Sequence, residues 1–446
     1  MHTVFYKLIY KVGEFLYTPL IKKAEKELLS SDYSTESDLL ELQNRRLSKL
    51  LTYAVNNNSF YRDKYKNIQF EKVTVDNISI LPILTKDELR ENYTNIQMKY
   101  LDEKHFSSET SGSSGEPLIF NRNESWVASH RAAQIRGYSW YGVKWWDKNI
   151  YFWGFDPSFV KKIQMRFVDF FLNRYRIFSF DANTLEKSLV QIKKSKYIEG
   201  YSSCIFQLSK YLNDNSIQIN TLSLVKGTSE KIYPNYKALS EKVFNTTMVS
   251  EYGAAEAGII AFECPEGTMH VTMENVIVEE VNGKIIVTNL HSFSLPIIRY
   301  DLGDYIELDK EHDCACGRKH HAIKDIRGRV GIDIVGLKQN YPSLVLYYIF
   351  KNIALSSSLQ ISYFGKQFEA GILILEVCEV EHLSKEELRN IILIESHKYF
   401  KKDVSVEVRI KKDEESKLKK EKDFESYIVS IPSIEAEKIM SSIKND

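Results

Sequence analysis

The sequence predicts an α/β protein built as a large first domain and a smaller α+β domain after it. Three observations predict this. From about residue 105 to 310, short β-like runs such as Asn149–Trp153, Ser223–Lys226 and Met248–Ser250 alternate with helical ones, the pattern of an α/β core. Asn282-Gly283 separates two alternating runs, 275–281 and 284–288, as a hairpin turn does. After Gly328 the pattern restarts, with a helix near 342–355, a strand near 370–379, a helix near 384–400 and a strand near 404–410. At 446 residues the chain is too long for one ordinary core, and the expected domains are 1–328 and 329–446.

The N-terminal elements read as helices. Phe5, Leu8, Ile9, Val12, Phe15, Leu16 and Leu20 fall at helical spacing over 4–21, with Lys7, Lys11, Lys22 and Lys23 around them. Such a helix either docks on the protein's own core or lies on the inner membrane surface. A second helical region covers 38–66. Thr85 is the expected N-cap of a further helix, with Glu88 three residues on. The charged stretch 411–422 reads as a solvated loop.

Composition narrows the function. Lys and Arg equal Asp and Glu at 60 each, so net charge gives no attraction to nucleic acid. Five cysteines, an odd number, do not make a disulfide framework. No signal peptide and no run of about 18 apolar residues is visible, so a cytoplasmic location is expected, with contact at the inner membrane as the variant reading.

The strongest local signal is Thr110-Ser111-Gly112-Ser113-Ser114-Gly115, whose two glycines admit close phosphate approach and whose four hydroxyls supply donors. It lacks the Gly-Lys-Ser/Thr ending of a Walker A loop, and alone it could be a flexible linker. It is followed by Gly227-Thr228-Ser229-Glu230, Tyr252-Gly253-Ala254-Ala255-Glu256, Arg299-Tyr300-Asp301-Leu302-Gly303-Asp304 and Ile326-Arg327-Gly328-Arg329. In this order and spacing the series resembles the adenylate-forming superfamily, within it the branch of phenylacetate–CoA ligases, coenzyme F390 synthetases and CapK-like capsular polysaccharide proteins. Tyr53-Ala54, Phe60-Tyr61-Arg62, Leu81-Pro82, Thr85-Lys86 and Gly200-Tyr201-Ser202-Ser203 extend the resemblance over residues 40 to 420.

The resemblance implies a large AMP-binding domain of packed β-sheets and helices, closed by a small mobile C-terminal lid. It implies ATP phosphates on Thr110–Gly115, adenine against Tyr252, Gly253 and Ala254 with the 227–230 segment, ribose hydroxyls on Asp304, and Mg2+ on Glu256. Arg329 would reach ribose or phosphate, and Lys417, with Lys419 and Lys420 as rivals, would neutralise charge during adenylation. The acid would lie near Gly200, Tyr201, Ser202, Ser203, Gly253 and Gly258, with Trp140, Trp145, Trp146 and Trp153 read as pocket or core. Two departures stand out. Glu116 occupies a position where relatives carry Lys, and Gly331 stands where they carry the hinge Asp, with Asp333 two further on.

Cys264 and His270, six apart, and Cys314-Ala315-Cys316 offer three thiolates and an imidazole, a donor set suited to structural Zn2+. His312, His320 and His321 are alternative ligands, and Cys204 and Cys378 read as ordinary buried residues. The implied activity is ATP-dependent activation of a small-molecule or sugar carboxylate and its transfer to a nucleophilic acceptor, in surface polysaccharide synthesis. An aryl- or acyl-CoA ligase using CoA, and a non-catalytic nucleotide-binding scaffold, are the alternatives. The expected assembly is a monomer or homodimer.

Overall fold

The computed structural model describes residues 2–100, 103–109, 118–152, 159–178, 182–328, 333–341, 343–357, 361, 363–380, 383–411 and 423–426. Met1–Gly112 with Pro117–Val330 make one compact unit, and Gly331–Asp446 belongs to a second.

The first unit is organised by one eleven-stranded sheet. Its parallel half runs Arg174–Ile177, Asn149–Phe152, Tyr197–Tyr201, Leu224–Thr228, Met248–Ala254, with helices between successive strands. Tyr197–Tyr201 and Leu224–Thr228, at the centre of this half, are almost continuously buried, as parallel strands covered on both faces must be. At Met248–Ala254 the sheet turns antiparallel and continues through Gly258–Glu263, Met269–Val271, Ala322–Gly328, Tyr300–Asp309, Lys284–Asn289 and Val276–Val281. Asn282 and Gly283 both have positive φ, 54° and 77°, as the two-residue hairpin requires.

Helix Glu36–Asn57 lays Leu39, Leu47, Leu50, Leu51 and Ala54 against the antiparallel half, in one core with Ile260, Val276, Val287 and Ile298. Its start is a full capping box between Thr35 and Asp38. The expected helix over 38–66 is two helices. Asn58 breaks it and caps the second, Ser59–Lys64, by accepting from the Tyr61 amide. The expected helix over 4–21 is likewise split, into His2–Tyr17 and Leu20–Ser30, at Thr18-Pro19. Thr85 caps Lys86–Glu91 through the Glu88 amide, but the Glu88 carboxylate leaves the cap for the Lys64 ammonium at 2.5 Å.

The second unit pairs four strands in the order Ser405–Lys411, Ile372–Cys378, Tyr363–Glu369, Asp423–Ser426. Helices Leu344–Ser357 and Lys385–Phe400 cover it, the latter begun by a Ser384–Glu387 capping box. Strands 363–369 and 423–426 are not legible in the sequence pattern. Tyr363–Glu369 carries Gly365, Lys366 and Gln367 where alternation would need a consistent face.

Candidate active site

The Tyr252–Glu256 and Arg299–Asp304 motifs meet at the edge of the region where the sheet changes from parallel to antiparallel. Tyr252 ends the last parallel strand, and its phenol donates to the Asp304 carboxylate at 2.7 Å. Glu256 follows in the turn before Gly258–Glu263 and is mostly buried. Its Oε1 accepts from the Tyr300 hydroxyl at 3.3 Å, and its backbone carbonyl accepts from the Asn289 amide at 3.1 Å. The Asp304 and Glu256 carboxylates each accept from a phenol, of Tyr252 and Tyr300, and oxygen acceptors of this kind suit a diol and a hard cation.

The flanking motifs are tied to this edge. Leu84 and the Arg299–Asp301 segment exchange backbone hydrogen bonds, Leu84 amide to Arg299 carbonyl at 2.9 Å and Asp301 amide to Leu84 carbonyl at 3.0 Å. Arg299, at φ 50°, donates two bonds of 2.9 Å to Glu279 and also bonds the Ser79 and Leu81 carbonyls, so its role is to fix this junction. On the parallel side, the Ser203 amide donates to the Glu230 carboxylate at 2.8 Å and the Ser202 hydroxyl to the Glu230 carbonyl at 3.2 Å. Gly227 permits this contact, because a Cβ there would sit 2.4 Å from Ser202 Oγ.

Thr110–Gly115, Arg329 and Lys417 lie outside the described residues, as do Glu116, Gly331, Lys419 and Lys420. The strands flanking the Ser/Gly loop, His105–Glu109 and Ile119–Asn123, pair antiparallel with Glu109 opposite Ile119. Trp140 lies against strands of the antiparallel half. It packs on Phe262 and the His270 ring, with its indole N–H shared by the Asp32 carboxylate oxygens at 3.1 Å. Trp145 and Trp146 line a separate cleft beside the N-terminal helix.

Sequence reasoning missed two features. The first is a buried charge network behind the site: Arg174 to Glu199 at 2.7 Å, Lys226 to Glu251 at 2.8 Å and to Glu199 at 3.6 Å, with Gln134 donating to Glu251. Burial works against the Glu199 charge, but the Arg174 and Lys226 cations win and hold its carboxyl below the usual range. The available signal was one charged residue inside each otherwise buried parallel strand, Glu199, Lys226 and Glu251. The second is His130, whose Nδ1 is buried and meets no partner among the described residues. It lies 3.5 Å from where a Gly258 Cβ would stand. Burial, aided by Arg122, Arg131 and Lys226, holds its imidazole well below the usual range, so it is neutral at pH 7.

A second cluster lies on the antiparallel half. The donor atoms of Cys264, His270, Cys314 and Cys316 all fall within 4.8 Å of one another. Cys264 and Cys314 sulfurs are 3.8 Å apart, and His270 Nε2 is 3.1 Å from the Cys316 sulfur. Four donors about 2.0–2.3 Å from one ion would be separated by distances of this order. His270 Nδ1 faces the His320 carbonyl at 3.3 Å, which leaves Nε2 for the cluster. The alternative ligands are engaged elsewhere: His312 with Thr268 and Asp309, His320 with Glu274, His321 with Glu36. Cys204 and Cys378 are buried.

No family model matches the chain. It is 28% identical over 314 residues to protein CapK of Staphylococcus aureus, an alignment covering 66% of this chain and 68% of that one. Its fold is similar to that of 2-hydroxyisobutyryl-CoA ligase solved with 2-HIB-AMP and CoA in the thioesterification state, at 16% identity and a TM-score of 0.60, over 92% of this chain and 94% of the other. The same enzyme in its postadenylation state superposes with a TM-score of 0.56 over 93% and 94%. The architecture is the one seen in that solved ligase.

Proposed function

We propose that this protein uses ATP to activate a carboxylate as an acyl-adenylate, releasing pyrophosphate, and then passes the acyl group to a nucleophile, releasing AMP. The observation that carries this is the 2.7 Å bond from Tyr252 to Asp304, with buried Glu256 bonded to Tyr300 of the same strand as Asp304; we read these side chains as the adenine-stacking ring, the ribose acceptor and the oxygen ligand for a cation. Adenine stacks on Tyr252 between Gly253–Ala254 and Gly227–Glu230. Asp304 accepts from the ribose hydroxyls. Glu256 Oε2, which meets no donor among the described residues, would hold Mg2+, and the ion would neutralise phosphate charge. Thr110–Gly115 supply phosphate donors, Arg329 reaches ribose or phosphate, and Lys417 neutralises the attacking carboxylate and α-phosphate. Catalysis here is positioning and charge neutralisation.

The acid lies against Tyr201–Ser203 and Gly258, where neutral His130 offers one unused hydrogen-bonding nitrogen to a second polar group of the acid. A hydroxy- or sugar acid meets that requirement, and the likeness to CapK supports an acceptor in surface polysaccharide synthesis, an amide between a sugar acid and an amine or amino acid. A CoA acceptor is the second reading, favoured by the CoA bound to the structural neighbour. Cys264, His270, Cys314 and Cys316 would hold a structural Zn2+ that staples strands of the antiparallel half. The protein works in the cytoplasm, with the inner membrane surface within reach of its N-terminal helix.

The test is acid-dependent ATP–pyrophosphate exchange across aryl acids, amino acids and uronic acids. Exchange with an acid bearing a second polar group supports the proposal. Silence from folded protein that binds Mg-ATP favours a non-catalytic scaffold. AMP release that requires CoA, or instead an amine or sugar, separates the two acceptors.

A further inference from the structure

Helix His2–Tyr17 leaves Val4, Leu8, Val12, Phe15 and Leu16 exposed, Phe15 by 71%. Their spacing, i, i+4, i+8, i+11, i+12, puts them on one face, while Tyr6 and Tyr10 on the other face pack inward. Sequence reading found this helix alone. The structure sets a second one beside it. Helix Phe159–Phe171 exposes Ile163, Phe167, Phe170 and Phe171 at i, i+4, i+7, i+8, Phe167 by 67%. The helices meet where the Tyr6 and Phe170 rings lie 6.5 Å apart and the Tyr10 hydroxyl donates to the Leu172 carbonyl at 3.0 Å. Exposed apolar patches built from two helices are an interaction surface rather than scattered surface residues.

Charge identifies the partner. The chain as a whole is neutral. Yet Lys7 and Lys11 border the first stripe, and Lys162 and Arg166 the second. Both of these last also lie over aromatic rings, Lys162 over Phe178 and Arg166 over Tyr175, while Asp169 of the same helix is buried and bound by Arg176 at 3.0 Å. A cleft of about 480 Å³ opens behind the first helix, lined by Phe15, Leu29, Val143, Trp145 and Trp146. Lys7, Lys11, Lys22 and Lys144 also line it, with Glu14 and Glu25. Apolar surface bordered by cations, on both helices and in the cleft, fits lipid acyl chains beneath anionic headgroups.

We propose that helices His2–Tyr17 and Phe159–Phe171 together seat this protein on an anionic bilayer surface, their apolar stripes in the acyl boundary and their lysines and Arg166 at the headgroups. The inference stands whether or not the ligase reading does. The test is co-sedimentation of the full chain with vesicles of phosphatidylcholine alone and with about one-third phosphatidylserine. Binding is expected to the anionic vesicles and to weaken at high salt. Phe15→Glu and Phe167→Glu should each weaken it at least about tenfold, and the pair Lys162→Glu with Arg166→Glu about fivefold or more. Melting temperatures of these variants report whether they fold, and Mg-ATP binding should be unchanged. Absence of vesicle binding, or equal binding to both vesicle types, would overturn the proposal. So would a dimer in light scattering that Phe15→Glu and Phe167→Glu dissolve without any lipid binding, which would make a second copy the occupant.

Discussion

Asp304→Ala is the perturbation with the most direct reading. Asp304 is half-buried, and its carboxylate holds the Tyr252 phenol at 2.7 Å. If it also accepts from both ribose hydroxyls, each hydrogen bond to a charged acceptor contributes about 1.5–3 kcal/mol. Partial solvent access places the pair at the low end, about 3 kcal/mol, which is about a hundredfold in nucleotide affinity. Tyr252→Phe removes one hydrogen bond but keeps the stacking ring, so about 1 kcal/mol, or about fivefold, is expected. The two losses should not add, because they share one contact. Isothermal titration of Mg-ATP into the single variants and the double variant measures all three terms. An Asp304→Ala protein that is folded and binds ATP as tightly as the parent would refute the assignment of Asp304 to the ribose, and with it the meaning given to the Tyr252 contact.

Further outcomes follow from the same structure. Chelation of purified protein, or Cys314→Ser, should release one zinc per chain and lower the melting temperature by several degrees, and protein isolated without zinc and indifferent to chelators would remove the staple. Glu274 is fully buried between Arg136 at 2.6 Å and His320 at 3.0 Å. Burial opposes its charge, but Arg136 and His320 hold its carboxyl well below the ordinary 4.5. A depressed carboxylate stabilises the fold above its unfolded pKa, and that contribution is lost as pH falls. Glu274→Gln should therefore cost about 2–3 kcal/mol near pH 7, since it leaves buried Arg136 with only the longer Asp32 contact at 3.9 Å and the Trp140 ring. The gap between variant and parent should close as the pH is lowered through 4 and below. A gap that is constant with pH would contradict the linkage. His130→Ala should raise KM for an acid with a second polar group and spare simple aryl acids, whereas a uniform loss would assign His130 to packing.

The fold class was legible because its signals are local. Asn282-Gly283 can form only one kind of tight hairpin with ease, and the buried parallel strands read as apolar runs. The breaks at Pro19 and Asn58 were equally local but were masked by apolar spacing that continues across them. Motif order placed Tyr252, Glu256 and Asp304 on one account, yet their contact depends on a sheet that reverses direction at residue 254, which no window of sequence contains. Arg299 shows the reverse case. Its motif position suggests chemistry, while its bonds to Glu279, Ser79 and Leu81 give it a structural task. The network of Arg174, Glu199, Lys226 and Glu251 and the pairing of two exposed helix faces were beyond reach, because each joins residues from separate elements whose partners only tertiary packing selects.

The central claim is that an acyl-adenylate forms on this protein. Rapid quenching of enzyme, Mg-ATP and an accepted acid, with acceptor withheld, followed by mass spectrometry of the bound fraction, tests it most directly. The expected product is the acid joined to AMP with loss of water, together with one pyrophosphate per enzyme and none when the acid is omitted. Release of ADP and phosphate instead, or turnover that ignores the acid, would contradict it.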